Sequence, residues 1–113
     1  MTEVENTDIE MSSMMIIAHS GEARTLAYEA LKAAKKGNFD QASELMKKSE
    51  AEGNEAHKTQ TDLLVAEAKG EKTPFSLLLV HSQDHLMTSM VVQELCKELI
   101  ELYSVKQDKE ILK

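Results

Sequence analysis

The sequence predicts an all-α protein, an antiparallel three-helix up-down-up bundle, and three observations carry that expectation. Two Phe, two Tyr, no Trp and a single Pro among 113 residues leave little of what a β-sandwich or barrel is built from, whereas the abundant Ala, Leu, Met, Glu and Lys favour helix. Apolar residues recur at spacings of three and four over long stretches without proline, the signature of helices with one buried face. Gly37 and Gly70 divide these stretches into three, and the short connections this leaves require antiparallel neighbours.

Residues 1–10 form a polar, acidic lead-in (Glu3, Glu5, Asp8, Glu10) with little to bury, and disorder is expected there. A single three-helix domain is assigned to residues 11–104. Its first helix runs from about Met11 to Lys36, with Ile16, Ala23, Ala27, Ala30 and Ala34 on a narrow, small-sided inner face that permits close helix approach. Gly37 follows a lysine-rich last turn, where a left-handed terminal residue is expected.

The second helix begins at Asn38, which with Gln41 has the spacing of a capping box. Ala42, Leu45, Met46, Ser49, Gly53, Ala56, Leu63 and Leu64 carry its stripe towards Lys69. Gly53 costs about 1 kcal/mol relative to Ala within a helix, so a bend or a close packing contact is expected there.

Gly70 stops this helix, and Thr73 with Pro74 supplies an N-cap and a first helical position for the third. Helix three is expected to reach about Tyr103, with residues 105–113 a charged, fraying tail. The stripe Val80, Asp84, Met87, Val91, Leu95, Leu99, Leu102 reads as a core face interrupted once, by Asp84. Beside it runs a second stripe of Leu78, His81, His85, Thr88, Val92, Cys96, Leu99 and Tyr103. Apolar character over so much of the circumference exceeds the needs of one hairpin flank and points to self-association.

A net charge of −7, with no Lys/Arg cluster free of opposing carboxylates, argues against nucleic acid and for basic-faced protein partners. The single cysteine, Cys96, cannot make an internal disulfide and reads as a small core residue. With neither a secretory leader nor a membrane-spanning run, a cytoplasmic setting without membrane insertion is expected.

The chemistry concentrates in His81-Ser-Gln-Asp-His85, a reactive site or a metal site. At roughly 100° per residue, His85 falls about 40° round the helix from His81 and Asp84 about 60° to the other side. A neutral imidazole carries one free lone pair, which can attack phosphorus or bind a metal. A phosphoryl group on His81 would be repelled by Asp84 and welcomed by donors, for which Gln83 and His85 are available, His85 at i+4 being better placed. The bland alternative is a pair of histidines bonded to backbone or water.

Asp84, a carboxylate in an apolar stripe, must be paired, neutralised or solvated. It could face solvent or meet an arginine from another helix, such as Arg24. If three copies of helix three meet on an axis, converging Asp84 carboxylates need a hard divalent cation such as Mg²⁺. His19 and His57 read as surface or interhelical hydrogen-bonding residues, and Met11, Met14, Met15, Met46, Met87 and Met90 as core filling.

These residues also resemble a known family. Ser20-Gly-Glu-Ala-Arg24, Ala27-Tyr-Glu-Ala-Leu-Lys32, Gly37-Asn-Phe-Asp40, Asn54-Glu-Ala-His57, Gln60-Thr61 and, above all, Val80-His-Ser-Gln-Asp-His-Leu-Met-Thr88 are similar to the enzyme IIA components of the bacterial phosphoenolpyruvate-dependent sugar phosphotransferase system, of the lactose/cellobiose/chitobiose class. The resemblance implies a homotrimer, a nine-helix bundle with reactive histidines near subunit boundaries. It implies that His81 takes phosphoryl through Nε2 from phospho-HPr and passes it to a cysteine of the IIB component, with Gln83 and His85 lining the site. It further implies that Asp84 from three subunits holds one divalent cation. Ser82 stands where relatives carry another small residue, and the wording of the motif leans to cellobiose/chitobiose rather than lactose.

Three rivals are weighed against this expectation. A zinc hydrolase is suggested by His81-x-x-Asp84-His85, one methylene short of His-x-x-Glu-His, but such a site needs a third protein ligand and a cleft. A histidine phosphotransfer domain of a signalling relay has similar size and helicity. A metal-binding or assembly module without catalysis is the third.

Overall fold

The computed structural model describes residues 6–111. Three helices, α1 (Asn6–Lys35), α2 (Phe39–Ala68) and α3 (Leu77–Ile111), form an antiparallel bundle, a rod of 67 × 20 × 19 Å. α1 packs extensively on both others, while α2 and α3 meet over fewer residues. The gap between these two is a groove lined by Phe39, Met46 and Ile100 and bridged by an ion pair between Lys97 and Glu50.

Each helix presents a seam spaced alternately three and four residues apart, the repeat that keeps one stripe facing a neighbour. In α1 it is Ile9, Ser13, Ile16, Ser20, Ala23, Ala27, Ala30 and Ala34, all buried. In α2 it is Ala42, Met46, Ser49, Gly53 and Ala56. In α3 Ser82, Leu86, Ser89 and Cys96 are buried, with Gln93, Ile100 and Tyr103 half-buried between and beyond them. Most of these side chains are small, which permits close helix approach. The Ser82 and Ser89 hydroxyls donate to the carbonyls of Leu79 and Leu86 one turn back, at 2.6 and 2.9 Å, which satisfies them inside the bundle.

The two glycines act as expected. Gly37 and Gly70 have φ of 84° and 91°. At the first, Asn38 N–H donates to Ala33 O and Gly37 N–H to Ala34 O. At the second, Glu71 N–H donates to Ala66 O and Gly70 N–H to Glu67 O. Both pairs are the bonds of a Schellman cap, which needs the left-handed residue glycine supplies. α2 is continuous through Gly53, which is buried beneath the Gln93 carboxamide, a close packing contact of the kind expected there.

Several expectations are corrected. α1 starts at Asn6 rather than Met11, and Ile9 is buried, so the second half of the acidic lead-in is helical; residues 1–5 lie outside the described residues. Asn38 makes no side-chain capping bond. α3 starts at Leu77, three residues after Pro74: the cap is Ser76, whose Oγ accepts Leu79 N–H at 3.0 Å, the N3 amide that an N-cap hydroxyl serves. At its far end α3 continues as helix through the expected tail, with Gln107 close to the Gly37 turn.

The largest correction concerns which face of α3 is inside. Val80, Met87, Val91, Leu95, Leu99 and Leu102, read as a core stripe, are 38–63% exposed in the single chain. Of the second stripe only Cys96 is buried, while His81, Thr88 and Leu99 are exposed. Met11, Met14, Met15 and Met87 are likewise exposed, and Met46 alone of the six methionines named is buried.

Candidate functional site

His81, Asp84 and His85 stand on the first turns of α3, and the burial of Ser82 and Leu86 fixes how they are presented. Leu86 packs with Ile16 of α1 and Ala56 of α2; Ser82 faces the same interior. A helix anchored by i and i+4 on one side turns i+2 fully outward and leaves i−1 and i+3 on one flank. His81 and Asp84 are accordingly exposed and His85 half-buried.

The two imidazoles meet edge to face, ring centroids 4.5 Å apart at 88°, with Nε2 of His85 3.1 Å from Nε2 of His81. Two facing ring nitrogens at this distance share one hydrogen, one donating and the other offering its lone pair. Arg24 of α1 reaches the far side of the pair, its Nη2 2.8 Å from His85 Nδ1. Burial above all, then the neighbouring His81 and Arg24, push the His85 pKa below the usual 6.5, and Asp84 opposes them. The shift favours the neutral form of the His85 imidazole.

Asp84 takes the other side. It lies on the outer ridge with Val80 and Met87, and with Leu77, Leu78, Val80 and His81 lines a shallow depression. The arginine considered as its partner, Arg24, bonds His85 instead. Gln83 is about 200° round the helix from His81, and its carboxamide accepts from Gln60 Nε2 of α2 and donates to Ser82 Oγ. The structure thus brings together His81, His85 and Arg24, and gives Gln83 other partners.

Two further histidines lie apart from this site. His19 Nδ1 is 2.5 Å from Glu52 Oε2, an α1–α2 bond, and His57 is exposed on α2. Cys96 is buried, and burial raises its pKa, which suits a core residue rather than a nucleophile. Among the described residues no three His, Cys, Asp or Glu side chains gather closely enough to hold a metal ion.

Over residues 11–104 the sequence matches the family described as the lactose/cellobiose-specific IIA subunit of the phosphotransferase system. The chain belongs to this IIA family. It is 50% identical over 102 residues to the N,N'-diacetylchitobiose-specific EIIA component of Escherichia coli, covering 90% of this chain and 88% of that one. Among solved structures it is similar to the cellobiose-specific enzyme IIA of Bacillus anthracis, with a TM-score of 0.86, 46% identity and coverage of 89% and 93%. It is also similar to the chitobiose IIA of Escherichia coli solved in complex with HPr, with a TM-score of 0.77, 47% identity and coverage of 92% and 99%. As a IIA component the chain is a phosphotransferase element that acts through a phosphohistidine. Among its described residues no helix is long and apolar enough to cross a membrane.

Sequence reasoning missed Arg24 as the partner of His85. Its signal was present, since Arg24 closes one of the segments that carry the family resemblance, but nothing local to helix one says what it touches.

Proposed function

We propose that His81 accepts a phosphoryl group on Nε2 from phospho-HPr and passes it to a cysteine of the IIB component, on the cytoplasmic side, during uptake of a disaccharide of the cellobiose/chitobiose type. The observation that carries this reading is the exposed His81 ring, open to a docking protein, with its Nε2 facing the Nε2 of His85 at 3.1 Å. The HPr complex of the Escherichia coli relative supports the choice of donor. Catalysis of this kind is positioning and charge stabilisation: the lone pair is presented in line, and N–H groups meet the equatorial oxygens. His85 is one such donor. Gln83 belongs to the proposal as a second donor only through a side-chain movement, because its amide is bonded to Gln60 and Ser82.

The proposal extends to a homotrimer. The ridge Val80, Met87, Val91, Leu95, Leu99, Leu102 and Val105 runs most of the length of α3 and is open in one chain, and an apolar surface of that extent is an association surface. Three α3 ridges on one axis would bring three Asp84 carboxylates together. Asp84 makes no ion pair among the described residues, and a single carboxylate on an apolar ridge is a fragment of an oxygen site, which Mg²⁺ with three such ligands and water would complete.

Incubation with enzyme I, HPr and labelled phosphoenolpyruvate tests the assignment. Label should appear on the chain and be absent from His81→Gln; equal labelling of both proteins would refute it.

A further inference from the structure

We propose that Arg24 is the positioning residue that decides which of the two facing ring nitrogens is the nucleophile, making His81 the acceptor and His85 the donor. The inference rests on the phosphoryl-carrier reading above and deepens it. Taken by themselves, His81 and His85 are symmetric: their Nε2 atoms face each other at 3.1 Å, and either could hold the hydrogen. A guanidinium breaks the symmetry because it has five N–H donors, no acceptor, and a charge at every physiological pH. With Arg24 Nη2 at 2.8 Å, Nδ1 of His85 must be the accepting nitrogen. A neutral imidazole that accepts at Nδ1 carries its hydrogen at Nε2. That hydrogen points at His81 Nε2, which is therefore the lone-pair nitrogen. The reverse arrangement would set two N–H donors against each other across 2.8 Å.

This tautomer prepares the transfer. The His81 Nε2 lone pair forms the new N–P bond as the N–P bond of the donor's phosphohistidine breaks, and the electron pair of the broken bond returns to the donor's ring nitrogen. The His85 Nε2–H, released from the lone pair it had been holding, then donates to a phosphoryl oxygen. No proton needs to move between the two rings. The half-buried setting of Arg24 beside the fully buried Ala23 and Ala27 holds the guanidinium at the back of His85, away from the exposed face of His81.

Charge and hydrogen-bond direction can be separated by substitution. Arg24→Lys keeps a donor-only cation, whereas Arg24→Gln offers a carbonyl that can accept from His85 Nδ1–H and so permits the other tautomer. The test uses the full chain labelled with ¹⁵N at histidine: the ring ¹⁵N shifts report which His85 nitrogen carries hydrogen, and rates of phosphoryl acceptance from phospho-HPr are measured in parallel. Wild type and Arg24→Lys should show Nε2–H, and Arg24→Gln a mixture. Arg24→Gln should lose on the order of 10- to 100-fold in kcat with KM little changed, the range for partners that fix a functional imidazole. In a His85→Gln background, Arg24→Gln should cost nothing more, which a merely structural role would not predict. An unchanged tautomer and rate in Arg24→Gln, or a full further loss in the His85→Gln background, would overturn the inference. A wild-type chain that takes no phosphoryl group from HPr would sink the carrier reading instead, while the tautomer comparison would still decide what Arg24 does.

Discussion

Asp84 and Leu86, two residues apart, point to opposite sides of α3. Leu86 is fully buried against Ile16 and Ala56, and Asp84 is exposed on the ridge of Val80 and Met87. Residues at i and i+2 lie about 200° apart on a helix, so this pair marks two separate seams: one that builds the subunit, and one that the subunit leaves open.

The inner seam is the one that stabilises the single chain. Leu86→Ala should destabilise it by about 2–5 kcal/mol, the range for emptying a fully buried leucine site, with His81 still exposed. Urea unfolding followed by circular dichroism measures this. A change below about 1 kcal/mol would mean that the α1–α2–α3 contact at this level is not a packed one.

The outer seam is the association surface of the proposed trimer. On that proposal Asp84→Leu should leave a trimer that binds no divalent metal, because three carboxylates on an apolar axis repel one another without a cation and leucines do not. Sedimentation equilibrium together with metal analysis reads both. Dissociation of the variant to monomers would refute the axial arrangement.

On the proposed mechanism, replacing His85 removes a hydrogen-bond donor to the phosphoryl group. His85→Leu should lower the rate of phosphoryl acceptance by roughly 10²–10³-fold, the usual cost of losing one such donor, and Gln83→Leu should cost far less. A pH effect accompanies it. The folded-state pKa of His85 lies below its ordinary 6.5, so the unfolded chain binds its proton more readily and stability falls with acid. The contribution of neutral His85 is fully present above pH 6.5 and is lost as pH drops below that value. His85→Leu should flatten the slope of stability against pH there; an unchanged slope would assign it to other groups.

The α2–α3 contact can be tested at Gly53. A methyl group there would come within 3.0 Å of both Nε2 and Oε1 of Gln93, whose Nε2 donates to Ser49 O and Ser49 Oγ at 2.8 and 2.9 Å. Gly53→Ala gains about 1 kcal/mol of helix propensity but dislodges two bonds of about 1 kcal/mol each. The net expectation is a loss of about 1 kcal/mol. In a Gln93→Ala background the same substitution should instead stabilise, and a thermal-melting double-mutant cycle distinguishes the two.

Much of this architecture is legible in the sequence, and the exceptions share a cause. Gly37 and Gly70 announce the breaks because only a left-handed residue closes a Schellman cap without strain, and the three-four spacing is a property of the chain itself. The face of α3 misleads because hydrophobicity and burial diverge: the inner seam carries Ser82, Ser89 and Gln93, small or hydrogen-bonded residues that let α1 approach, while the greasier ridge faces outward. Thr73 and Ser76 both offer a capping hydroxyl, and sequence does not say at which of the two the helix begins. That the His81 and His85 rings meet is readable from their i, i+4 spacing. The contact of Arg24 is not, since its partner is 61 residues away on another helix.

The most direct measurement of the central claim is peptide mapping of the chain after exposure to phospho-HPr, under alkaline conditions that preserve phosphohistidine. A single phosphoryl group on His81, with none on His85, His19 or His57, is the predicted result. Phosphoryl on another residue while His81 stays unmodified would contradict the account.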